Sequence, residues 1–164
     1  MIRLGVISDT HGLMRPEALD ALQGSELILH AGDIGKPEIL EALSDIAPVR
    51  AIRGNNDTDE WASHLPECEI ITIDEVQIYM LHDVKQMKID PVRAGHSVVI
   101  SGHSHKPSVD ERDGVLFLNP GSAGPRRFKL PVYVAILVVN EGRLDAKIVE
   151  LNIPAKADKH QGAS

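Results

Sequence analysis

The N-terminal third repeats one unit: the apolar run "IRLGVIS", the helical run "RPEALDALQ", the apolar "ELILHAG", the helical "KPEILEALSDI" and the apolar "PVRAIRG". The apolar runs read as buried strands. Between them, Ile39, Leu40 and Leu43 recur at helical spacing, and Pro16 and Pro37 stand in the first turns, where a missing N–H costs nothing. Strand, helix and strand in this rhythm give a parallel sheet.

After Trp61 the pattern changes. "EIITIDEVQIYMLHD" reads as two strands joined at "DE", and only a short helix near "DPVRAG" fits before the strand "SVVISG". "SVDERDGVLFLNPGS" reads as a hairpin turning at Asp113-Gly114, and "PVYVAILVVNEGRLDAKIVEL" as another turning at "NEG". The expectation is an α/β fold of two packed mixed β-sheets flanked by helices, an αββα sandwich. A chain of 164 residues, 43% hydrophobic and 25% charged, has the size and composition of one globular domain, expected over residues 1–154. Residues 155–164 are small, polar and aperiodic, and are expected to be a disordered tail.

Several function classes fall away on composition. The one cysteine, Cys68, rules out an intramolecular disulfide framework and fits a reducing compartment, so a cytoplasmic location is expected. "MIRLGVISDT" reaches Asp9 too soon for a signal-peptide core, and "VYVAILVV" is strand-length, so no membrane segment is expected. A formal net charge of -7 argues against a nucleic-acid coat protein, but not against a small phosphorylated substrate held through metal. Oligomeric state is left open.

The strand ends carry the chemistry. Asp9 and His11 follow the first strand, Asp33 the second, Asn55 the third, His82 follows "IYMLH", and His103 with His105 follow "VVISG". In parallel α/β sheets, functional groups gather at the carboxyl ends of strands, so these loops are expected to converge on one rim. Singly, each is an ordinary turn residue; together they form a ligand set of oxygen and imidazole without thiolate. Such a set suits Mn²⁺, Ni²⁺, Zn²⁺, Fe or Co²⁺, and it is too large for one tetrahedral ion. Two divalent transition-metal ions sharing a carboxylate are expected, with Mn²⁺ the first choice.

The order D-x-H ("DTH"), G-D ("GD"), G-N-x-D ("GNND"), a lone H ("LHD") and G-H-x-H ("GHSH") resembles the calcineurin-like metallophosphoesterase superfamily. The small size and the "NPGS" stretch resemble its compact phosphodiesterase branch in bacteria and archaea. The resemblance runs from Ile2 to about Leu151. It implies one metal on Asp9, His11 and His105, a second on Asn55, His82 and His103, and Asp33 bridging them. It also implies a phosphodiester or other small phosphorylated substrate, attacked in line by a metal-bridging hydroxide whose pKa the ions lower.

Asn55 and Asp57 are the candidate catalytic residues, and Asn55 and Arg126 the candidate substrate contacts. Asp57 is expected to orient a ligand imidazole. Arg126, with Arg127 beside it, could offer a guanidinium to a phosphate oxygen, as a similar Pro-Arg segment does in the family. "NPGS" is read as a structural bend buttressing the rim. Of the remaining histidines, His30 is expected to be a satisfied core or supporting residue, and His64, His96 and His160 ordinary loop or tail residues. Trp61 could line the pocket or anchor the core.

Two positions depart from the family pattern. Many members carry histidine where this chain has Asn56, which cannot protonate a leaving group. Asp83 stands where glycine usually follows the lone histidine, and its carboxylate could either tune a ligand or weaken anion binding. The alternatives are a phosphomonoesterase, or a metal-depleted protein-interaction scaffold of the same fold, as in a retromer subunit. A nucleotide-binding regulator would want a glycine-rich loop after the first strand, which "SDTHG" is not.

Overall fold

The computed structural model describes residues 1–126 and 131–154. The expected disordered tail, with His160, and Arg127 lie outside the described residues.

The N-terminal repeat folds as read. β1 (Ile2–Ile7), α1 (Pro16–Ala21), β2 (Leu27–His30), α2 (Pro37–Ser44) and β3 (Val49–Ala51) follow one another, with β1, β2 and β3 parallel. Each helix opens with proline just inside its N-terminus and turns one apolar face inward: Ala18 and the adjoining Leu22 from the first, Ile39 and Leu43 from the second. The rest is strand-rich: β4 (Cys68–Ile73), β5 (Val76–Leu81), β6 (Val98–Ile100), β7 (Ser108–Arg112), β8 (Val115–Asn119), β9 (Tyr133–Asn140) and β10 (Arg143–Glu150). The hairpins turn where expected, with Asp74, Asp113 and Glu141 in left-handed backbone, two of them preceding Gly114 and Gly142.

Two mixed five-stranded sheets result, in the orders β10-β9-β1-β2-β3 and β4-β5-β6-β8-β7. The late strand β9 returns to pair antiparallel with β1, so the two ends of the chain share a sheet. Leu4, Val6 and Leu29 of the first sheet meet Ile78, Met80, Val98 and Ile100 of the second in one fully buried layer. Each such side chain taken from water contributes about 1.5–3 kcal/mol. Gly5 and Ile7 face the other way, and Ile7 and Ile28 pack beneath α1 and α2.

Both α-helices cover the first sheet. On the outer face of the second, Tyr79, Leu81, Val99 and Val115 pack with Met87, which follows a 3-10 turn (Val84–Gln86), and hydrogen-bonded turns stand where a helix is expected at "DPVRAG". There Ala94 N–H donates to Asp90 O at 3.0 Å and His96 N–H to Pro91 O at 2.9 Å. A single turn closed by Gly95 is too short to propagate as a helix. His96, expected as an ordinary loop residue, is buried and stacks on Tyr79 at 5.3 Å. Trp61 packs on the helix-side cluster, which makes it a core anchor. Among the described residues no helix is long and apolar enough to cross a membrane.

Candidate metal centre

Beyond the ends of β1, β2, β5 and β6 the backbone stays paired, which is what brings the loops together. Asp9 N–H donates to Gly32 O at 3.0 Å, His11 N–H to Asp33 O at 2.9 Å, and Gly102 N–H to His82 O at 2.9 Å. The loops touch so closely that several glycines are obligatory, Gly32 and Gly102 among them. A Cβ on Gly32, whose φ is +103°, would stand 2.8 Å from His82 Nδ1, and one on Gly102 would collide with Ser8 and with Asp9 Oδ2.

Strain marks the same loops. Asp9, His11, Asp33, His103 and His105 all have φ between 46° and 68°, a region non-glycine residues seldom occupy. The other described non-glycine residues there are the three hairpin-turn residues named above. Five strained residues at one strand-end rim are the pattern of a functional site whose surroundings over-determine it.

Asp9 and Asp33 are buried at the centre. Asp9 Oδ2 accepts from Ser8 Oγ at 2.6 Å and His103 N–H at 3.0 Å. Its Oδ1 faces three imidazoles: His105 Nε2 at 3.3 Å, His11 Nε2 at 3.7 Å and His82 Nε2 at 3.8 Å. Burial alone would raise the Asp9 pKa, but His105, His11 and the Ser8 hydroxyl outweigh it and hold the carboxylate far below its ordinary range. Asp33 Oδ2 lies 3.1 Å from His82 Nε2 and 3.8 Å from His11 Nε2. Burial likewise opposes ionisation of Asp33, and His82 with the Asn56 amide overcomes it, so its pKa is also lowered.

These side chains fit a bound cation. His82 Nδ1–H donates to Ala31 O at 2.7 Å, so in the neutral ring Nε2 carries a lone pair aimed at the two carboxylates. His82 Nε2, His11 Nε2 and Asp9 Oδ1 are buried and make no hydrogen bond. Buried acceptors that face one another need positive charge between them, either protons or metal ions. In the metal-free chain, burial depresses His82, but Asp33 and Ala31 more than reverse it and its pKa is raised. The ligand atoms form two groups, Asp9 with His11 and His105, and Asp33 with His82 and His103, each within 4.8 Å.

Supporting residues surround the centre. His30 is wholly buried: Gly32 N–H donates to its Nδ1 at 3.1 Å, so its Nε2–H donates to Thr10 Oγ1 at 3.0 Å, and Thr10 donates onward to Ile34 O. Burial holds its pKa down to about 4, a neutral ring tying the β1 loop to the β2 loop. The "NPGS" stretch buttresses the rim, with Asn119 donating to Gly102 O at 2.9 Å and Ser122 to Asp9 O at 3.1 Å.

Three sequence expectations need correction or refinement. Among the described residues Asp57 is hydrogen-bonded to no imidazole; its buried carboxylate accepts N–H bonds from Ile34, Gly35 and Gly54 at 3.0–3.1 Å, clamping the loop that carries Asp33. Arg126 does not line the pocket beside the ligands; it donates to Ile153 O at 3.2 Å and borders a separate cavity with Glu150 and Asn152. Asn55, exposed, lines the pocket, while Asn56 hydrogen-bonds Asp33, through its N–H to Oδ1 at 2.9 Å and Nδ2 to Oδ2 at 3.2 Å.

That pocket, about 470 Å³, runs from His82 and His103 to Tyr79 and Leu81 and is bordered by Arg53 and Lys88. Arg53, Lys88, Ser8 and Asn119 were not singled out from the sequence. A serine preceding the first ligand and an asparagine in "NPGS" were the available signals for two of them; nothing local marks the two cations.

Comparison with known proteins agrees with this geometry. A sequence profile of the calcineurin-like phosphoesterase superfamily domain matches residues 2–142. The chain is 36% identical to a probable metallophosphoesterase of Methanothermobacter thermautotrophicus over 163 residues, covering 92% of this chain and 94% of that one. It is 29% identical to a phosphodiesterase of Methanocaldococcus jannaschii over 139 residues, covering 73% and 83%. The wild-type Vps29 of Entamoeba histolytica, solved as a zinc complex, superposes with a TM-score of 0.70 at 25% identity, covering 92% of this chain and all of that one.

Proposed function

Because the chain belongs to the calcineurin-like phosphoesterase superfamily, we propose that it is a binuclear metal-dependent phosphodiesterase. One observation carries the reading: the two ligand groups adjoin, with carboxylate oxygens of both Asp33 and Asp9 within 3.8 Å of His82 and of His11, so that either ion site would have a carboxylate at its border with the other. Asp9, His11 and His105 would hold one divalent ion; His82 and His103 would hold the other, with Asn55 at the pocket side and Asp33 common to both. When bound, such ions neutralise phosphate charge and lower the pKa of water to near neutrality. Mn²⁺ is the first candidate for this oxygen and imidazole set.

The chain's own residues then shape the reaction. Asp9 and Asp33 stay ionised across the physiological range and bring two fixed negative charges to the centre. A diester monoanion meets less repulsion there than a monoester dianion. The pocket beside His82 and His103 is open to an ester arm, with Arg53 and Lys88 at its border. Asn56 donates hydrogen bonds but carries no transferable proton, so the leaving group departs unassisted from that position.

The likeness to Vps29 supports a scaffold as a second reading. Against it stands the intact cluster, whose buried facing acceptors are costly without ions. The test is reconstitution of chelator-stripped protein with Mn²⁺, Ni²⁺, Zn²⁺ or Mg²⁺, followed by metal counting and assay on aryl phosphodiesters and monoesters. Two ions per chain and faster diester hydrolysis are expected, with both ions and activity compromised in a folded Asp33→Ala variant. One ion or none, with no turnover, would favour the scaffold.

A further inference from the structure

We propose that Asp83 is a positioning residue for the metal centre, holding the His103 imidazole by its Nε2 edge so that Nδ1 faces the ion shared with Asp33 and His82. The inference rests on the binuclear reading above. It concerns a carboxylate that lines the pocket but belongs to neither ligand group.

The geometry begins with the backbone. Asp83 directly follows His82, in extended conformation, and caps the 3-10 turn Val84–Gln86 by accepting Lys85 N–H at Oδ1, 3.1 Å away. That bond pins one carboxylate oxygen. The other, Oδ2, lies 3.7 Å from His103 Nε2 across the pocket wall. His103 needs such a partner more than its fellow ligands do. Its side chain is 44% exposed, against 24% for His11, 8% for His105 and 7% for His82. Its main chain is held by the N–H bond to Asp9 Oδ2, but its ring meets His82 only edge-on, at 5.2 Å.

The remaining step is general chemistry. A carboxylate beside one imidazole nitrogen favours the tautomer with hydrogen on that nitrogen, leaving the lone pair on the other and making it the better donor to a metal. His82 is already arranged this way by the Ala31 carbonyl on Nδ1. Asp83, whose Oδ2 is 3.7 Å from His103 Nε2, acts on that ring more loosely, by its charge and from the opposite nitrogen. The two imidazoles of that ligand group are thereby biased toward complementary tautomers, His82 by a main-chain acceptor and His103 by a side-chain charge.

Asp83→Asn separates this role from the turn cap, because the amide oxygen still accepts Lys85 N–H while the charge is gone. Metal-free wild type and variant are titrated calorimetrically with Zn²⁺, and the loaded proteins are examined by ¹⁵N NMR of the imidazoles. The expected result is two binding events in wild type, one of them weakened about 10–100-fold in the variant with the other unchanged. The wild-type His103 Nε2 should carry hydrogen in the loaded protein. Equal affinities in wild type and Asp83→Asn, or metal on His103 Nε2, would overturn the proposal while leaving the binuclear reading intact. Absence of divalent-ion binding by wild type would overturn both.

Discussion

At the scale of single residues, the centre is built from side chains that solve one another's electrostatic problem. Asp9 is buried yet ionised because three imidazoles and a hydroxyl face it; of these rings, His82 is held by the Ala31 carbonyl, and His11 and His105 stand on strained backbone. Asp57 works one step further out. It satisfies three N–H groups of two loops from a buried position, so Asp57→Ala leaves those donors unpaired and is expected to cost about 2–4 kcal/mol. Urea unfolding of the metal-free protein measures it, and a loss below about 0.5 kcal/mol would contradict the clamp. Under the proposed function, Asn56 matters by what it lacks, a proton for the leaving group. In wild type, kcat/KM across a series of aryl and alkyl phosphodiesters should depend steeply on leaving-group pKa. Asn56→His should flatten that dependence, since general-acid help is worth about 10²–10⁴-fold. A wild-type series already flat, with chemistry rate-limiting, would place the acid elsewhere.

At the scale of elements, the strand ends matter more than the strands. β1 and β2 run parallel and then hand on to loops that remain hydrogen-bonded, and His30 at the end of β2 ties them through Gly32 and Thr10. Because burial holds its pKa at about 4 while the unfolded chain's histidine titrates near its ordinary value, its effect on stability has a definite sign. Above the ordinary pKa both states are neutral and nothing is lost. As pH falls below it, the unfolded chain binds a proton the folded one refuses, and stability drops by about 1.4 kcal/mol per pH unit until about pH 4. His82, whose pKa is raised, contributes in the opposite sense: its stabilisation is present at low pH and fades as pH rises through its folded value. The measurement is therefore a comparison of urea midpoints from pH 7 to 4.5 for metal-free wild type and His30→Asn, with the wild type expected to lose more on acidification. Parallel curves would mean that His30 is not the neutral ring described.

At the scale of the whole molecule, the proposed metal binding would be linked to folding. Ions that bind only the folded chain stabilise it by about 2.7 kcal/mol at a hundredfold excess over Kd. Chelation should therefore lower Tm by several degrees in wild type and change little in Asp33→Ala, which scanning calorimetry can read; equal shifts in both would detach stability from the centre. Much of this arrangement is legible along the chain. The parallel start, the three hairpins, the strand-end positions of Asp9, Asp33, His82, His103 and their companions, and the absence of thiolate ligands all follow from period, turn chemistry and residue type, because each depends on neighbours within a few positions. What the chain does not display locally is who touches whom. Asp9 accepts from the His103 N–H across 94 positions, Asn56 rather than Asn55 reaches the Asp33 carboxylate, Asp57 turns to backbone instead of imidazole, and Arg126 turns to Ile153. Those partnerships are decided by strand order, by β9 returning beside β1, and by the close approach of loops that only a packed sandwich enforces.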